Sequence, residues 1–352
     1  MHKQYPLLKK GLVQSMAKSN RKKHRTVEYG RYGYYFIAPF FIVYFLFSLW
    51  PLIYTIWLST QEFYYRGMQA MGPTFNGLTN FKRVLYDTNL KGVVNEGAKI
   101  FHTMTFKTLG NTIIMWLINF IPQIALSLLL AAWFTDTRVK LKAHGAYKVM
   151  IYMPNIITAA SIAVLFYTLF SVQGPITQLC RSLGLIDVGR EATDYFMQNK
   201  WWTRILIGFI NFWMWYGNTM IILIAGILGI SPTLYEAARV DGASSTQIFR
   251  RITLPLLKPI LLFVLVTSSI GGLQMFDIPS LFNVNNAGDG LPDYASQTIT
   301  MYIKQLALGT SRDIGKASAA SLILFLVTLI ISLIFFFTLG DKEPKSKKIK
   351  EV

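Results

Sequence analysis

The sequence is poor in the residues that soluble proteins carry on their surfaces and that catalytic and metal sites use as ligands. Of its 352 residues 15% are charged, four are histidine and one, Cys180, is cysteine. A single cysteine excludes an intrachain disulfide, and a soluble domain carries about 25% charged residues. Because the charge deficit lies in long apolar runs, the composition indicates an all-α integral membrane protein.

The motifs that would make this chain an enzyme or an ATP-binding subunit are also missing. The sequence has no His-x-x-x-His, Cys-x-x-Cys or Gly-x-Ser-x-Gly pattern. The run closest to a phosphate-binding loop, 309–317, is one residue too long and has Ala317 where such a loop needs the magnesium-binding Ser or Thr. We therefore expect no catalytic residue, no metal site and no bound cofactor in this chain.

Six apolar runs are long enough to cross the hydrocarbon core of a bilayer, which takes about 20 helical residues. The sequence predicts transmembrane helices at Tyr34–Leu58, Leu109–Phe134, Val149–Phe170, Trp202–Leu228, Ile260–Leu281 and Ala317–Leu339. The chain is thereby divided into a basic tail (1–33), a six-helix membrane domain (34–339) and a second basic tail (340–352).

The net charge of +18 is compatible with nucleic-acid binding, but the positions of the basic residues favour an interaction with the membrane surface. An even number of spans puts both tails on one side of the membrane. That side, with two of the connecting loops, holds 22 of the 35 Lys and Arg residues. The positive-inside rule then predicts that both termini are cytoplasmic, that loop 59–108 is external, and that the partner of the basic residues is membrane lipid rather than nucleic acid.

The most informative segment is the polar, basic loop 229–259 between the fourth and fifth predicted spans, which we call the coupling loop. Ser231 is typical of a helix N-cap and Pro232 of the first helical position. Gly242 follows where a helix should end, because glycine adopts a left-handed conformation without strain. The pattern predicts a short helix that stops at a glycine.

A second short helix is predicted directly after this glycine. Ser244, with Gln247 three residues later, is a capping-box pattern, and we expect Pro255 to end or kink the helix that it opens. The product is a two-helix loop just inside the membrane. An amphipathic helix lying at the interface would explain the same chemistry.

The coupling loop also carries a specific pattern: Glu-Ala-Ala, three residues, Gly, nine residues, then Ile-x-Leu-Pro. It resembles the cytoplasmic EAA loop of permease subunits in bacterial binding-protein-dependent ABC importers. The run Gly271–Asp277 resembles the sugar-transporting branch, and the six-span layout is similar to the maltose-permease type. The resemblance implies contact with an ATPase through Glu236, Ala237, Ala238, Asp241, Gly242, Ile252, Leu254 and Pro255.

The resemblance implies a complete assembly in a bacterial cytoplasmic membrane. This chain would be a transport subunit without enzymatic activity, paired with a second permease as a heterodimer. Two copies of a cytosolic ATPase would bind ATP and magnesium, and an extracytoplasmic solute-binding protein would deliver a carbohydrate. The chain lacks the extra N-terminal spans and the large external domain of the largest members of this type.

Polar side chains inside the fourth and fifth predicted spans are candidates for the substrate path. Such groups are costly in a bilayer and usually face the bundle interior or a water-filled cavity. Aromatic rings with amide and carboxylate groups suit a saccharide, and hydrogen bonding between helices explains any single residue as well. The candidates are Asn211, Trp215, Tyr216, Asn218, Gln274 and Asp277.

Three other functions remain to be weighed. The same machinery could import a non-sugar solute, although an anionic cargo would favour cationic groups within the spans. An ATP-independent channel or secondary transporter would favour acidic residues in several spans, whereas only Asp277 lies deep in one. An intramembrane enzyme would need paired catalytic residues at matching depth, and the sequence offers none.

Overall fold

The structure is a computed structural model of the chain. It describes residues 30–86, 99–136, 143–186, 195–282, 290, 292–310 and 312–340. Most of the two predicted basic tails, 1–29 and 341–352, therefore lies outside the described residues. The chain divides into two compact units, Met1–Tyr54 and Thr55–Val352.

Six helical segments of the described chain are long and apolar enough to cross a bilayer, which confirms the predicted class and number of spans. They are Tyr32–Ser59, Met104–Thr135, Ala159–Ser182, Lys200–Leu228, Ser245–Phe282 and Ile314–Leu339. The individual helices are α1 Gly30–Tyr44, α2 Trp50–Ser59, α3 Thr79–Leu85, α4 Met104–Thr135, α5 His144–Ile156, α6 Ala159–Phe170, α7 Pro175–Ser182, α8 Tyr195–Gln198, α9 Lys200–Leu228, α10 Pro232–Val240, α11 Ser245–Ile248, α12 Leu254–Leu273, α13 Asp277–Phe282, α14 Ile299–Leu308 and α15 Ile314–Leu339. Two strands, β1 Gln61–Arg66 and β2 Gln69–Phe75, form an antiparallel hairpin.

Two helices widen into a single π turn just before a proline. The first π turn is Phe45–Leu49, followed by Pro51, and the second is Phe249–Thr253, followed by Pro255. Proline has no N–H for the helix, and its ring crowds the carbonyl four residues earlier, so a wider turn accommodates it. Pro255 therefore does not end the second loop helix, because α11, the π turn and α12 follow one another without a break.

The third predicted span is wrong as a single helix. Val149–Phe170 is divided between α5 and α6, which are separated at 157–158. Pro154 lies in the last turn of α5, where it removes a helical N–H. The hydroxyl of Thr158 then accepts a hydrogen bond from the backbone N–H of Ser161 and opens α6. The segment apolar enough to span is Ala159–Ser182 instead.

The fifth predicted span, Ile260–Leu281, is also interrupted. Its helix starts earlier, at Leu254, and ends at Leu273. The chain is non-helical at 274–276 before α13 begins at Asp277. Gly271 and Gly272 precede the break, and consecutive glycines weaken a helix because they gain the most backbone entropy when it opens.

The membrane core lies where α4, α9 and α12 pack together, and α4 with α9 is the most extensive helix pairing. Glycines of α9 allow the backbones of α4 and α5 to approach it closely, as is usual between transmembrane helices. A Cβ on Gly208 would lie 2.6 Å from Cγ2 of Ile118, and a Cβ on Gly217 would lie 2.3 Å from the carbonyl oxygen of Ile151. Fully buried side chains at the centre are Met115, Ile207, Ile210, Met220, Leu223, Leu257 and Leu273.

The described part of loop 59–108 contains a small folded structure. The hairpin pairs Gln61 with Phe75 and Arg66 with Gln69. The side-chain amide of Asn80, on α3, donates to the carbonyls of Ser59 (3.0 Å) and Gln61 (2.7 Å). These bonds fix the hairpin and α3 to the end of α2.

The same substructure is anchored to the start of α15. The backbone N–H of Tyr65 donates to the carbonyl of Arg312 at 3.1 Å. Gly315 lies so close to the hairpin that a Cβ there would be 2.4 Å from the carbonyl oxygen of Gln61. The beginning of the sixth span is therefore fixed to the end of the first.

Candidate functional sites

The first helix of the coupling loop, α10, begins where the sequence predicts. Ser231 is the N-cap residue and Pro232 occupies the first helical position. The hydroxyl of Ser231 makes no capping hydrogen bond and instead lies 2.8 Å from the hydroxyl of Thr233. Proline itself, which needs no hydrogen-bond partner at this position, therefore defines the start of the helix.

The end of α10 is a Schellman motif centred on Gly242. Gly242 has φ +76°, in the left-handed region. Its N–H donates to the carbonyl of Arg239 (3.1 Å), and the N–H of Ala243 donates to that of Ala238 (2.9 Å). This is the hydrogen-bond pattern that ends a helix at a left-handed residue, so Gly242 sets the direction in which the chain leaves α10.

The capping box that opens α11 is also present. The backbone N–H of Ser244 donates to Oε1 of Gln247 at 2.8 Å, and the N–H of Gln247 donates to Oγ of Ser244 at 3.3 Å. The hydroxyls of Tyr235 and Thr253 lie 3.3 Å apart and connect α10 to the π turn. The two short helices of the coupling loop are thus fixed by local hydrogen bonds.

The coupling loop presents its characteristic side chains to the outside of the chain. No residue of α10 is buried. Glu236 and Ala237 are exposed, and the apolar Val240 is 88% exposed. The predicted coupling residues Asp241, Gly242 and Pro255 are exposed as well, whereas Ala238, Ile252 and Leu254 are half-buried. A helix with exposed apolar and charged side chains has the composition of a surface that a protein partner covers.

A cavity of about 640 Å³ separates the coupling loop from the end of the second span. Tyr235, Glu236 and Arg239 of α10 line one side. The last part of α4, the end of α9, α11 and the π turn also line it. Among the apolar lining residues are Leu128, Leu129, Ala132, Trp133, Ile227, Leu228, Ile248 and Phe249. Glu236 therefore lies at the edge of an apolar recess.

The substrate-path candidates of the fourth span lie on α9 with different degrees of exposure. Asn211, Trp215 and Asn218 follow the i, i+4, i+7 spacing that places residues on one side of a helix. Asn211 is buried and donates its amide to the carbonyl of Ile207 at 2.9 Å, while Trp215 is exposed and Asn218 is half-buried. Tyr216 lies on the adjacent side, and its backbone carbonyl accepts a bond from the Ser127 hydroxyl at 2.7 Å.

The two candidates of the fifth span border the break in that span. Gln274 is the C-cap residue of α12 and Asp277 is the first residue of α13, and both are exposed. Asp277 therefore does not project from a continuous membrane helix. In the part of the chain that the structure describes, no side-chain hydrogen bond connects these two residues with the candidates on α9.

Sequence reasoning missed a stripe of buried polar side chains on α4, which we call the polar seam: Thr112, Trp116, Asn119, Gln123 and Ser127. All five are buried within the chain. Their spacing of four, three, four and four residues places them on one side of the helix, so the periodicity of the second span was the signal that could have found them.

Gln123 and Ser127 of the polar seam donate hydrogen bonds to other helices. The amide of Gln123 donates to the hydroxyl of Thr219 on α9 (2.8 Å) and, at 3.4 Å, to that of Ser268 on α12. Ser127 donates to α9 as described above. The seam thereby joins three membrane helices through hydrogen bonds that lipid cannot replace.

The segment that follows residue 290 is hydrogen-bonded to the predicted outer ends of α4 and α9. The amide of Asn111 donates to the carbonyls of Tyr294 (2.6 Å) and Gln297 (3.3 Å). Arg204 donates to Oδ1 of Asn111 at 2.6 Å and to the carbonyl of Ala295 at 3.1 Å. One segment thus contacts two spans at once.

An exposed ion-pair group completes this contact. The Asp293 carboxylate lies 2.5 Å from Nζ of Lys200 and 3.5 Å from Nζ of Lys107. The hydrogen bond from Lys200, and then the charges of the two lysines, hold the pKa of Asp293 below its ordinary value. Over the described residues, no group of three or more His, Cys, Asp or Glu side chains is arranged to hold a metal ion.

Most of the chain matches one known protein family. Residues 112–343 match the family described as "Binding-protein-dependent transport system inner membrane component". This range contains most of span two, all of spans three to six and the whole coupling loop.

Related sequences cover nearly the whole chain. The lactose transport system permease protein LacF of Rhizobium radiobacter is 28% identical over 311 residues, which are 88% of this chain and 95% of LacF. The arabinooligosaccharides transport system permease protein AraP of Bacillus subtilis is 29% identical over 301 residues, which are 86% of each chain.

A solved structure shares the fold. It is the crystal structure of a bacterial ABC transporter involved in the import of the acidic polysaccharide alginate, one chain of which matches with a TM-score of 0.66 and 25% identity. The match covers 87% of this chain and 93% of that one.

Proposed function

This chain belongs to the family of binding-protein-dependent transport system inner membrane components, and from that premise we propose that it is a permease subunit of an ATP-driven sugar importer. It spans the cytoplasmic membrane of a bacterium and forms part of the path that the sugar follows. ATP and magnesium bind to a partner ATPase rather than to this chain.

The observation that carries the proposal is the geometry of the coupling loop. A short helix with exposed Glu236, Ala237 and Val240 is held by a left-handed glycine at one end and a proline at the other. Small apolar side chains can enter a groove of a partner, and edge charges orient the helix by charge-assisted hydrogen bonds. This surface fits docking to a cytosolic ATPase.

The sugar class is supported by the relatives and by the composition of the candidate path. Both named relatives are sugar transport permeases, and each aligns over most of this chain. Trp215, Asn218, Gln274 and Asp277 remain candidates for contact with the cargo because exposed aromatic, amide and carboxylate groups suit a saccharide. An extracytoplasmic binding protein delivers the sugar, as the family description implies.

The mechanism proposed is alternating access in a heterodimer with a second permease. Closure of two ATPase subunits displaces the coupling loop, and the helices attached to it change between inward-open and outward-open arrangements. The direct continuation of α11 into α12 supports this, because a displacement of the loop passes along one helix into the membrane.

The test begins with purification of this chain from its host in mild detergent and identification of the co-purifying proteins by mass spectrometry. The complex is then reconstituted in proteoliposomes with its binding protein. ATP hydrolysis and uptake are measured with lactose, arabinotriose, maltotriose and an alginate oligosaccharide. Glu236→Lys and Gly242→Asp should abolish sugar-stimulated ATP hydrolysis while leaving this chain folded.

The matched controls carry the same chemical changes away from the coupling loop. Gly184 ends α7 in a Schellman motif of the same form, at φ +68° and with open space around it, so Gly184→Asp reproduces the strain and the charge. Glu62→Lys reverses a carboxylate on β1. Normal transport in both coupling-loop variants would refute the assignment, and stimulation by amino acids or peptides alone would replace the sugar class with the non-sugar alternative.

A further inference from the structure

Two polar atoms in the middle of the membrane bundle are buried without a hydrogen-bond partner. They are Nε1 of Trp116 and Oδ1 of Asn119, on successive turns of α4. The side chains are 7% and 4% exposed, so neither lipid nor an adjacent subunit can supply a partner in this conformation. Asn119 lies at the midpoint of the 32-residue helix. Because unpaired buried donors and acceptors are rare and costly, this pair calls for an explanation.

The missing partners are specific to this point of the polar seam. Gln123 and Ser127, one and two turns further along the same stripe, donate hydrogen bonds to other helices. Thr112, at the other end, accepts a hydrogen bond from the backbone N–H of Ile299 at 2.9 Å. Within the polar seam, the unpaired donor and acceptor therefore lie between groups that make hydrogen bonds.

A glycine of α12 packs against both side chains of the pair. A Cβ on Gly272 would lie 2.4 Å from Cδ1 of Trp116, 3.1 Å from its Nε1 and 3.6 Å from Nδ2 of Asn119. Helix α12 ends one residue later, at Leu273. The pair thus lies against bare backbone beside a break in the fifth span.

We propose that Trp116 and Asn119 are a binding subsite for a sugar hydroxyl, covered by Gly272 in this conformation and uncovered when α12 moves away from α4. The inference rests on the proposed function and adds to the path two residues of the second span. A hydroxyl accepts one hydrogen bond and donates another, so an indole N–H and an amide oxygen one turn apart match it. The indole ring also offers an apolar face to the carbon atoms of the sugar.

The first test asks whether the covered position becomes accessible. Cys180 is the only cysteine of the chain, so Asn119→Cys in a Cys180→Ser background places one thiol in the seam. The complete complex in proteoliposomes is treated with a small charged methanethiosulfonate reagent, without nucleotide and trapped with ATP and vanadate. We expect labelling in one of the two states. Protection from the reagent in both states would overturn the proposal.

The second test measures binding of the sugar that the wild-type complex transports, chosen from lactose, arabinotriose and maltotriose. Trp116→Phe removes the N–H and keeps an aromatic ring, and Asn119→Leu removes the amide and keeps the same number and branching of side-chain heavy atoms. Each should raise KM about three- to tenfold, the loss expected for one buried hydrogen bond, with a smaller change in the maximal rate. Trp213→Phe on α9 is the control for the indole change and should leave KM unaltered.

Deoxy analogues of the same sugar separate binding from folding. For one hydroxyl position, its removal should raise KM in the wild type but cause no further increase in Asn119→Leu. Unchanged KM in both variants, or a deoxy penalty that persists in both, would overturn the subsite. Failure of the wild-type complex to transport any sugar would instead refute the proposed function, before any variant is compared.

Discussion

Arg83 and Asp313, which are 230 residues apart in the sequence, form a buried ion pair. Their side chains are 7% and 8% exposed. Nη1 of Arg83 also donates to Oδ1 of Asn80 at 3.2 Å, and Oδ1 of Asp313 accepts the N–H of Lys316 at 3.0 Å as the N-cap of α15. One pair of charges thus fixes the folded part of loop 59–108 to the sixth span.

Replacing Asp313 with Asn should strongly destabilise the protein. Asparagine is as good an N-cap as aspartate, so the substitution removes the charge and leaves Arg83 buried without its counter-ion. Breaking a buried pair in this way costs about 3–5 kcal/mol. The thermal unfolding midpoint of the purified protein in detergent measures the effect.

The control for this prediction is Asp293→Asn, which removes the same charge from an exposed group. Exposed ion pairs contribute little to stability because water and salt screen them. The unfolding midpoint should therefore change only slightly. Equal shifts in the two variants would show that burial of the Arg83–Asp313 pair does not matter.

Substitution of two adjacent glycines in the fifth span should have opposite results. A Cβ on Gly272 meets Trp116 at 2.4 Å, whereas a Cβ on Gly271 meets nothing within 4 Å. Gly272→Ala should destabilise the protein by about 1–3 kcal/mol through overpacking. Gly271→Ala should be neutral or stabilising by about 0.5–1 kcal/mol, because alanine favours a helix. The thermal unfolding midpoints of the two variants test this prediction. An unchanged midpoint in Gly272→Ala would mean that α4 and α12 are loosely packed.

Loss of the capping box should loosen the second helix of the coupling loop. Ser244→Ala removes the acceptor for the N–H of Gln247 and should cost about 1 kcal/mol of local stability. Ser231→Ala is the matched control, since that N-cap serine makes no capping bond. Hydrogen exchange of residues 245–248 should be faster in Ser244→Ala and unchanged in Ser231→Ala. Equal exchange in the two variants would contradict the role of the capping box.

The contact of Asp293 with Lys200 and Lys107 should respond to salt but not to physiological pH. Because the folded-state pKa of Asp293 is lowered, its stabilising effect is present above the ordinary aspartate pKa and is lost only as pH falls through the lowered value. Between about pH 5 and pH 8 the carboxylate stays ionised.

Hydrogen exchange of residues 294–297, corrected for its intrinsic pH dependence, should therefore be constant over that pH range. Exchange should become faster when salt rises from about 0.1 M to about 1 M, because exposed charges are screened. Asp293→Asn should remove the salt response. A response that survives in this variant would assign the salt effect to other groups.

Sequence reasoning succeeded where the determining signals are local. Continuous apolar runs predicted the number of spans, and Pro232, Gly242 and the Ser244–Gln247 pair predicted the coupling loop, because caps and left-handed glycines act within one helical turn. The orientation of the termini and the role of the coupling residues stay predictions.

The remaining features depend on contacts between residues that are distant in sequence, or on small differences in free energy between a continuous and an interrupted helix. The sequence around Arg83 does not indicate that Asp313 is its ion-pair partner. The attachment of loop 59–108 to α15 therefore could not be predicted. The break after Leu273 arises where two glycines meet a close helix contact, and hydropathy averages over such a break. The polar seam was visible in the sequence of the second span, but its unpaired atoms depend on how α12 covers them.

The π turn at Phe249–Thr253 has a mechanical consequence. It keeps hydrogen bonding continuous past Pro255, since the N–H of Leu254 donates to the carbonyl of Phe249. From Ser245 to Leu273 the chain is therefore one rod about 43 Å long at 1.5 Å per residue. Rotating such a rod by about 5° at its Ser245 end displaces its other end by about 4 Å. A displacement of that size is wider than a water molecule, and it acts on Gly272, whose backbone lies against Trp116 and Asn119.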